Sequence, residues 1–325
     1  MNLRRFTSIV WMPLALLACT SEPTDPGDDS EVEADDLRRD FPEATPDAVV
    51  FTTPDLIIPP YTDMEYCWVT TYHGPDVGLT GLRNYQSVNG HHVVILGTTE
   101  TERSLPDDTI WDCTTTESLG MANMEPIIVG GGLEYVDDGV DNVFDLPPGM
   151  ASEMESGQRI VVQSHYINPT DTPIRVKDQT QYLTMPVEDV QEWASVLALT
   201  DNSVNIPVGA TDYTTSFDCT IEDTYSLVYL GGHMHEWGKA FSLDRKRGDS
   251  VERIYEVATW DPVYRDAPII NTYKPGEFMI EAGDTFTTTC TWYNDQDKAL
   301  TWPHEMCVSF AMIHPSKVPV ICDVE

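Results

Sequence analysis

Residues 226–238 read Ser-Leu-Val-Tyr-Leu-Gly-Gly-His-Met-His-Glu-Trp-Gly. A short apolar run with β-branched and aromatic members, closed by paired glycines, is a strand signal and not a helical one. Successive strand side chains point to opposite faces, so His233 and His235 share a face and both imidazoles can reach one ion. Gly231 and Gly232 before the pair, and Gly238 after it, allow the backbone to bend and approach closely.

Working outward, runs of the same kind recur at Val93–Leu96, Arg159–Tyr166, Ser195–Thr200, Thr285–Tyr293 and Cys307–Ile313. Turn-rich stretches such as Leu146-Pro-Pro-Gly149, Asn168-Pro-Thr-Asp171 and Lys274-Pro-Gly276 separate them. No long 3.6-residue periodicity and no 20–50-residue repeat is visible. Many short strands with frequent turns predict an all-β chain of antiparallel β-sandwich or jelly-roll domains. The histidines fall in two clusters, before and after about Pro186. The expected division is therefore an N-terminal β domain over residues 49–186 and a C-terminal one over residues 187–325.

The chain has 325 residues, 41% of them hydrophobic, and a formal net charge of −36. That length can bury one large or two medium cores. The charge argues against nucleic acid or an anionic membrane surface as partner, and it attracts metal cations. Arg4 and Arg5 precede an apolar run, Ile9 to Ala18, that is too short to span a bilayer. It ends in Leu16-Leu17-Ala18-Cys19, which resembles a bacterial lipobox. Residues 1–19 then read as a lipoprotein signal peptide with Cys19 as the lipidated residue. Thr20 follows instead of Asp, so nothing resembles inner-membrane retention, and an extracytoplasmic lipid anchor in the outer membrane of a Gram-negative bacterium is expected. Residues 20–48 carry eleven Asp or Glu up to Asp47. Such a segment cannot bury enough surface to offset its ordering entropy and is expected as a disordered tether.

Six further cysteines remain: Cys67, Cys113, Cys219, Cys290, Cys307 and Cys322. In an exported protein this even number reads as three disulfides, with fifteen pairings open on count alone. No Cys-X-X-Cys spacing favours thiolate metal binding.

The metal-binding side chains are concentrated elsewhere. His91-His92, His165 in Gln-Ser-His-Tyr, His233-Met-His235 and Met306 in Glu-Met-Cys supply five imidazoles and one thioether. They divide into two three-donor sets. Sulfur is a soft donor that favours Cu(I), so the combination points to a two-copper redox protein. Met121, Met124, Met150, Met154 and Met279 read as core residues instead. Adjacent strand residues face opposite ways, so His91 and His92 can serve one ion only where the backbone is irregular, and Asn89-Gly90 is a turn signal that can supply this. His165 offers the third donor, on a strand where Gln163 points the same way.

Gly90-His-His-Val-Val-Ile-Leu-Gly97, Val162-Gln-Ser-His-Tyr166, Gly232-His-Met-His235 through Gly238, and Cys290-Thr-Trp-Tyr-Asn294 with Glu305-Met-Cys307 together resemble one family. It is that of the copper type II, ascorbate-dependent monooxygenases, which includes dopamine β-monooxygenase and peptidylglycine α-hydroxylating monooxygenase. The resemblance spans approximately Thr53 to Cys322. It implies two successive nine-stranded jelly-roll domains with one copper in each, facing across a cleft. His91, His92 and His165 would hold the electron-transfer copper, and His233, His235 and Met306 the copper where oxygen binds. It also implies the pairs Cys290–Cys307 and Cys219–Cys322, leaving Cys67 with Cys113. The chain departs from the family at Val93 and Thr98, where Met and Cys are usual, and at Ser226 and Met234, where His and Thr are usual. Gly231 replaces the arginine that grips a peptide carboxylate, and Phe310 replaces a substrate-contacting tyrosine. Peptide amidation is thereby disfavoured.

The function this implies is hydroxylation of a C–H bond of a small organic substrate with O2, two copper ions and an external one-electron reductant such as ascorbate. The alternative is a surface-anchored copper-binding or storage protein without turnover. Gln163 is a candidate hydrogen-bonding partner near the first copper. Substrate, reductant and oligomeric state are not legible.

Overall fold

The computed structural model describes residues 34–98, 105–113, 125–128, 133–136, 138–302 and 304–324. The expectations for the leader, Cys19, the first part of the acidic tether, Met121 and Met124 lie outside the described residues. Among the described residues the fold is all-β, interrupted by two single helical turns at Val187–Asp189 and Pro262–Arg265. Each strand run read from sequence is present, with bounds that differ by at most three residues: Gly90–Thr98, Arg159–Asn168, Ser195–Asp201, Tyr225–His233, Thr285–Trp292 and Val308–His314.

In the N-terminal half a five-stranded sheet has the order Ile110–Asp112, Thr62–Thr71, Arg159–Asn168, Gly90–Thr98, Glu125–Ile128. A second sheet is built around Val77–Ser87, paired with Gly139–Asp145, Met150–Met154 and Asp178–Pro186. Trp68, Ile95, Ile160 and Val162 of the first meet Leu79, Leu82, Met154 and Tyr182 of the second in one core. The C-terminal half repeats this layering. One sheet carries Ile270–Thr272, Tyr225–His233, Val308–His314, Ser195–Asp201 and Val320–Val324, and the other carries Tyr213–Thr220, Thr285–Trp292, Gly238–Arg247 and Ser250–Val257. Leu197, Leu199, Leu227 and Ile313 pack there on Phe241, Leu243, Phe286 and Trp292.

The two halves share a wall. All seven residues of Ser195–Asp201 are buried, which is why that run lacks the polar alternation of a one-sided strand. Leu197 and Leu199 face the C-terminal core, while Val196 and Ala198, with Val228, Tyr229 and Met312, join the N-terminal core. Val196 and Met312 are essentially inaccessible, and such burial contributes about 1.5–3 kcal/mol per side chain. Ala34–Glu325 accordingly forms a single compact unit. Residue 186 separates the strands of the two halves, except that Glu192–Trp193 pairs with Met150 and Ala151. It does not separate their cores.

The acidic stretch expected to run as a tether to residue 48 is joined to the fold from Ala34. Asp35 and Asp36 pair in parallel with Ile174 and Arg175. Arg39, its side chain 7% exposed, reaches Asp141 at 2.8 Å and the Gln86 carbonyl at 3.2 Å. The two arginines at 38 and 39 supply the anchoring that the acidic composition concealed. Met150 and Met154 are buried as expected, but Met279 is 38% exposed, because it lies in a two-residue strand, Met279–Ile280, that pairs only through Tyr225 and Ser226.

The disulfides are Cys67–Cys113, Cys219–Cys322 and Cys290–Cys307, with Cα separations of 5.8, 6.3 and 6.0 Å. The last two tie the paired sheets of the C-terminal half together. Disulfides persist in oxidising compartments, so the protein is extracytoplasmic. Among the described residues no helix is long and apolar enough to cross a membrane.

Candidate metal centres

His91, His92 and His165 converge. His165 lies opposite His92 in the antiparallel register, and the next partner of the strand is Tyr166 with Gly90, so His91 is the extra residue of a β-bulge. Asn89 preceding it has φ 70°, a left-handed conformation that Asn tolerates. The irregularity demanded by adjacent ligands is thus built by the turn and the bulge together. The His165 ring centroid is 5.1 Å from that of His91 and 4.8 Å from that of His92. His165 is 3% exposed, and its Nε2 lies 2.6 Å from Asp63 Oδ1. With Nε2–H donating to that carboxylate, Nδ1 keeps its lone pair. Nδ1 is buried and has no hydrogen-bond partner, as befits a ligand oriented by a carboxylate behind it. Burial, and then the neighbouring His165, hold the His92 pKa well below its usual value.

His233 closes its strand, and His235 stands two residues beyond it in the connection to Gly238–Arg247. The pair is therefore not carried on one regular strand, although the facing is kept. The Nε2 atoms of the two rings are 3.1 Å apart, while Met234 between them is fully buried in the opposite core. Burial lowers His233 to about 4 and His235 well below the usual histidine range, so both are neutral lone-pair donors at pH 7. Two neutral nitrogens at this separation suit a shared cation.

Glu305 organises the surroundings. It is fully buried. Its Oε2 accepts from the backbone N–H of His235 at 3.1 Å, that of Met306 at 3.2 Å, and the Trp292 indole at 2.8 Å. Its Oε1 accepts from the Trp237 N–H at 3.0 Å. One carboxylate therefore fixes the backbones of His235 and Met306 with respect to each other. Burial pushes its pKa up to about 7, against the N–H groups that favour the anion. Trp260 adds a second restraint, its indole donating to the His235 carbonyl at 2.9 Å. The Cys290–Cys307 bridge anchors the residue that follows Met306.

The two departures expected in the substrate region are cross-strand partners. Gly231 pairs with Phe310 and with Ile270, on the face that also presents His233 opposite Val308. A Cβ at Gly231 would lie 2.5 Å from Phe310 Cζ and 2.8 Å from Ile270 Cδ1. The phenyl ring thus occupies the space a longer side chain at 231 would need. Gly232 is required for the other face, where a Cβ would come 2.4 Å from the Phe241 ring. Gln163 shares the His165 face, and its amide donates to Glu65 Oε2 at 2.8 Å.

Asp63, Glu305, Arg265 and Asp266 are the site residues that sequence reasoning missed. Asp266 Oδ2 lies 2.9 Å from His91 Nδ1, and its Oδ1 lies 3.5 Å from His92 Nε2. Burial opposes ionisation of Asp266, but His91, His92 and Arg265 hold its carboxyl well below the usual range. Glu305 stood beside Met306 in the quoted motif and could have been singled out. Asp63 and Asp266 are distant in sequence from the histidines they meet, as Arg265 is from Glu236, and none carries a local signal.

Residues 193–324 match the family described as copper type II ascorbate-dependent monooxygenase, C-terminal domain. The matched segment contains His233, His235 and Met306. No curated protein matches the chain. Among solved structures, N-glycanase F (PNGase F) is 10% identical with a TM-score of 0.41, over 85% of this chain and 98% of that one. A putative secreted protein from Eubacterium rectale is 9% identical with a TM-score of 0.22, over 78% and 70%. Residues 193–324, which hold the second histidine pair and its methionine, are thus similar to the C-terminal domain of the copper type II ascorbate-dependent monooxygenases.

Proposed function

We propose that the protein is a two-copper monooxygenase that hydroxylates a C–H bond of a small, largely apolar substrate, using O2 and an external one-electron reductant such as ascorbate. The observation that carries this reading is the His233–His235 pair, with facing Nε2 atoms, fastened through Glu305 to Met306 within the matched domain. The donor sets fit copper: three imidazoles with the unpartnered Nδ1 of His165 in one, two neutral imidazoles and a thioether in the other. Copper held there would supply one-electron storage at each centre and activation of O2 at the sulfur-containing one.

The chain's own residues orient and exclude. Asp63 holds His165 in the tautomer that leaves Nδ1 free. Glu305 and Trp260 hold the His235 loop. Phe310 and Ile270 over Gly231 form an apolar wall beside His233. The nearby guanidinium of Arg265 is engaged by Asp266 and Glu236, so an anionic substrate group finds no ready counter-ion on it. A cavity of about 340 Å³ lined by His91, Asn89, Val140 and Ile167 gives a small reductant access to the first centre. The protein would work outside the cytoplasm, anchored through lipidated Cys19.

The test is ascorbate-driven transfer of ¹⁸O from labelled O2 into phenethyl compounds and amines, with N-acyl glycines as the anionic comparison. Label should enter an apolar substrate and be lost in Met306→Ala. Tight copper binding with no incorporation into any of these compounds would refute catalysis and leave the storage function.

A further inference from the structure

Three imidazole nitrogens of the N-terminal centre point at a carboxylate from the other half of the chain. Asp266 follows the helical turn Pro262–Arg265, and its side chain is 8% exposed. Its oxygens lie 2.9 Å from His91 Nδ1, 3.5 Å from His92 Nε2 and 4.0 Å from His165 Nδ1. The last nitrogen is buried and unpartnered. His91, His165 and Asp266 offer donor atoms that all lie within 4.8 Å of one another. The turn is itself pinned to the second centre: Tyr264 packs edge-on against Trp260, 5.6 Å between ring centroids, and Trp260 donates to the His235 carbonyl.

We propose that Asp266 is a fourth donor of the centre formed by His91, His92 and His165, delivered from the C-terminal half. The proposal rests on the copper reading above. The Arg265-Asp266 dipeptide then joins the two centres. Asp266 enters the first, while Arg265 pairs with Glu236, beside His235 of the second. The Arg265 guanidinium also bonds Asp266 Oδ1 at 3.1 Å. Loading of the first centre therefore fastens it to the segment that carries the second.

The chemistry distinguishes the centres. An anionic oxygen with three imidazoles is a hard donor set that favours Cu(II), whereas the thioether of Met306 favours Cu(I). Asp266 thus lowers the reduction potential of its centre relative to three imidazoles alone.

The experiment uses the full chain in a His233→Ala background, which leaves the N-terminal centre as the copper site to be read. Copper affinity is measured by competition with a chelator, donor type by electron paramagnetic resonance of Cu(II), and potential by redox titration. Asp266→Asn should weaken Cu(II) binding at least about tenfold, change the spectrum and raise the potential. Asp266→Glu, which keeps a carboxylate, should recover part of each. Unchanged affinity, spectrum and potential in Asp266→Asn overturn the proposal while leaving the two-copper reading intact. Absence of copper from the parent protein overturns both. Should Asp266→Asn fail to fold, the infrared carboxylate bands of the aspartate-labelled parent decide. A shift on copper loading supports the assignment, and an unmoved spectrum defeats it.

Discussion

Glu305 offers the sharpest test of how the second centre is held. Its carboxylate is buried and is the acceptor for the N–H groups of His235, Trp237 and Met306 and for the Trp292 indole. Glu305→Ala strands all four donors and opens a cavity beside the fully buried Trp292. A buried donor left unsatisfied costs about 1–3 kcal/mol, so even at the low end the loss is about 4 kcal/mol. Glu305→Gln keeps one carbonyl oxygen, which can serve the three donors on Oε2. Its amide N–H then faces the Trp237 N–H, one hydrogen bond is lost, and the expected cost is about 2 kcal/mol. The assay is denaturant unfolding of the oxidised protein, with copper retention read in parallel. Because Met306 and His235 are fixed by the same carboxylate, Glu305→Ala should also lose the C-terminal copper and keep the N-terminal one. A Glu305→Ala protein within 1 kcal/mol of the parent, with both coppers retained, would refute the reasoning.

Two further outcomes follow from the rest of the structure. Burial holds the Asp178 carboxyl up to about 6, against 3.8 for the ordinary group and against the hydrogen bond from the Tyr166 hydroxyl. The folded state then binds the proton more tightly than the unfolded chain, so its stabilising effect is present below pH 3.8 and lost as pH rises through 6. The loss amounts to about 3 kcal/mol. Asp178→Asn should therefore gain on the parent between pH 4 and 6 in unfolding experiments, and a difference that stays flat over that range would contradict the assignment. At Gly231 an added methyl meets Phe310 and Ile270, so Gly231→Ala should cost about 1–3 kcal/mol. Phe310→Ala should relieve that clash, giving a non-additive double-mutant cycle, whereas simple additivity would show that the two residues do not compete for one space.

Much of the β architecture was legible because its central strands are apolar. Ser195–Asp201, Tyr225–His233 and Val308–His314 form the shared wall, and their runs of Leu, Val and Ile announce burial. The strands that passed unnoticed have a mixed or charged composition, and central ones such as Val77–Ser87 are among them. Gly238–Arg247 and Ser250–Val257 carry Asp244, Arg245, Glu252 and Arg253, a composition that reads as surface loop. Their register is set by charge: Asp244 lies opposite Arg253 and Arg245 opposite Glu252, as the ion pairs require. The candidate ligands were legible for a different reason, since imidazoles and a thioether in that order have few other uses. Their supports were not. Asp63 meets His165 across 102 residues and Asp266 meets His91 across 175, and only the folded sheets create those neighbours. The ordering of the acidic segment from Ala34 was likewise hidden, because it depends on Arg39 finding Asp141.

The most direct measurement of the central claim is copper content per chain after reconstitution and exhaustive dialysis, for the parent protein and for His165→Ala and His233→Ala. Two independent centres predict close to two copper ions in the parent and close to one in each variant, with the sulfur-bearing centre surviving in His165→Ala. A parent protein that retains no copper, or a content unchanged by either substitution, would contradict it.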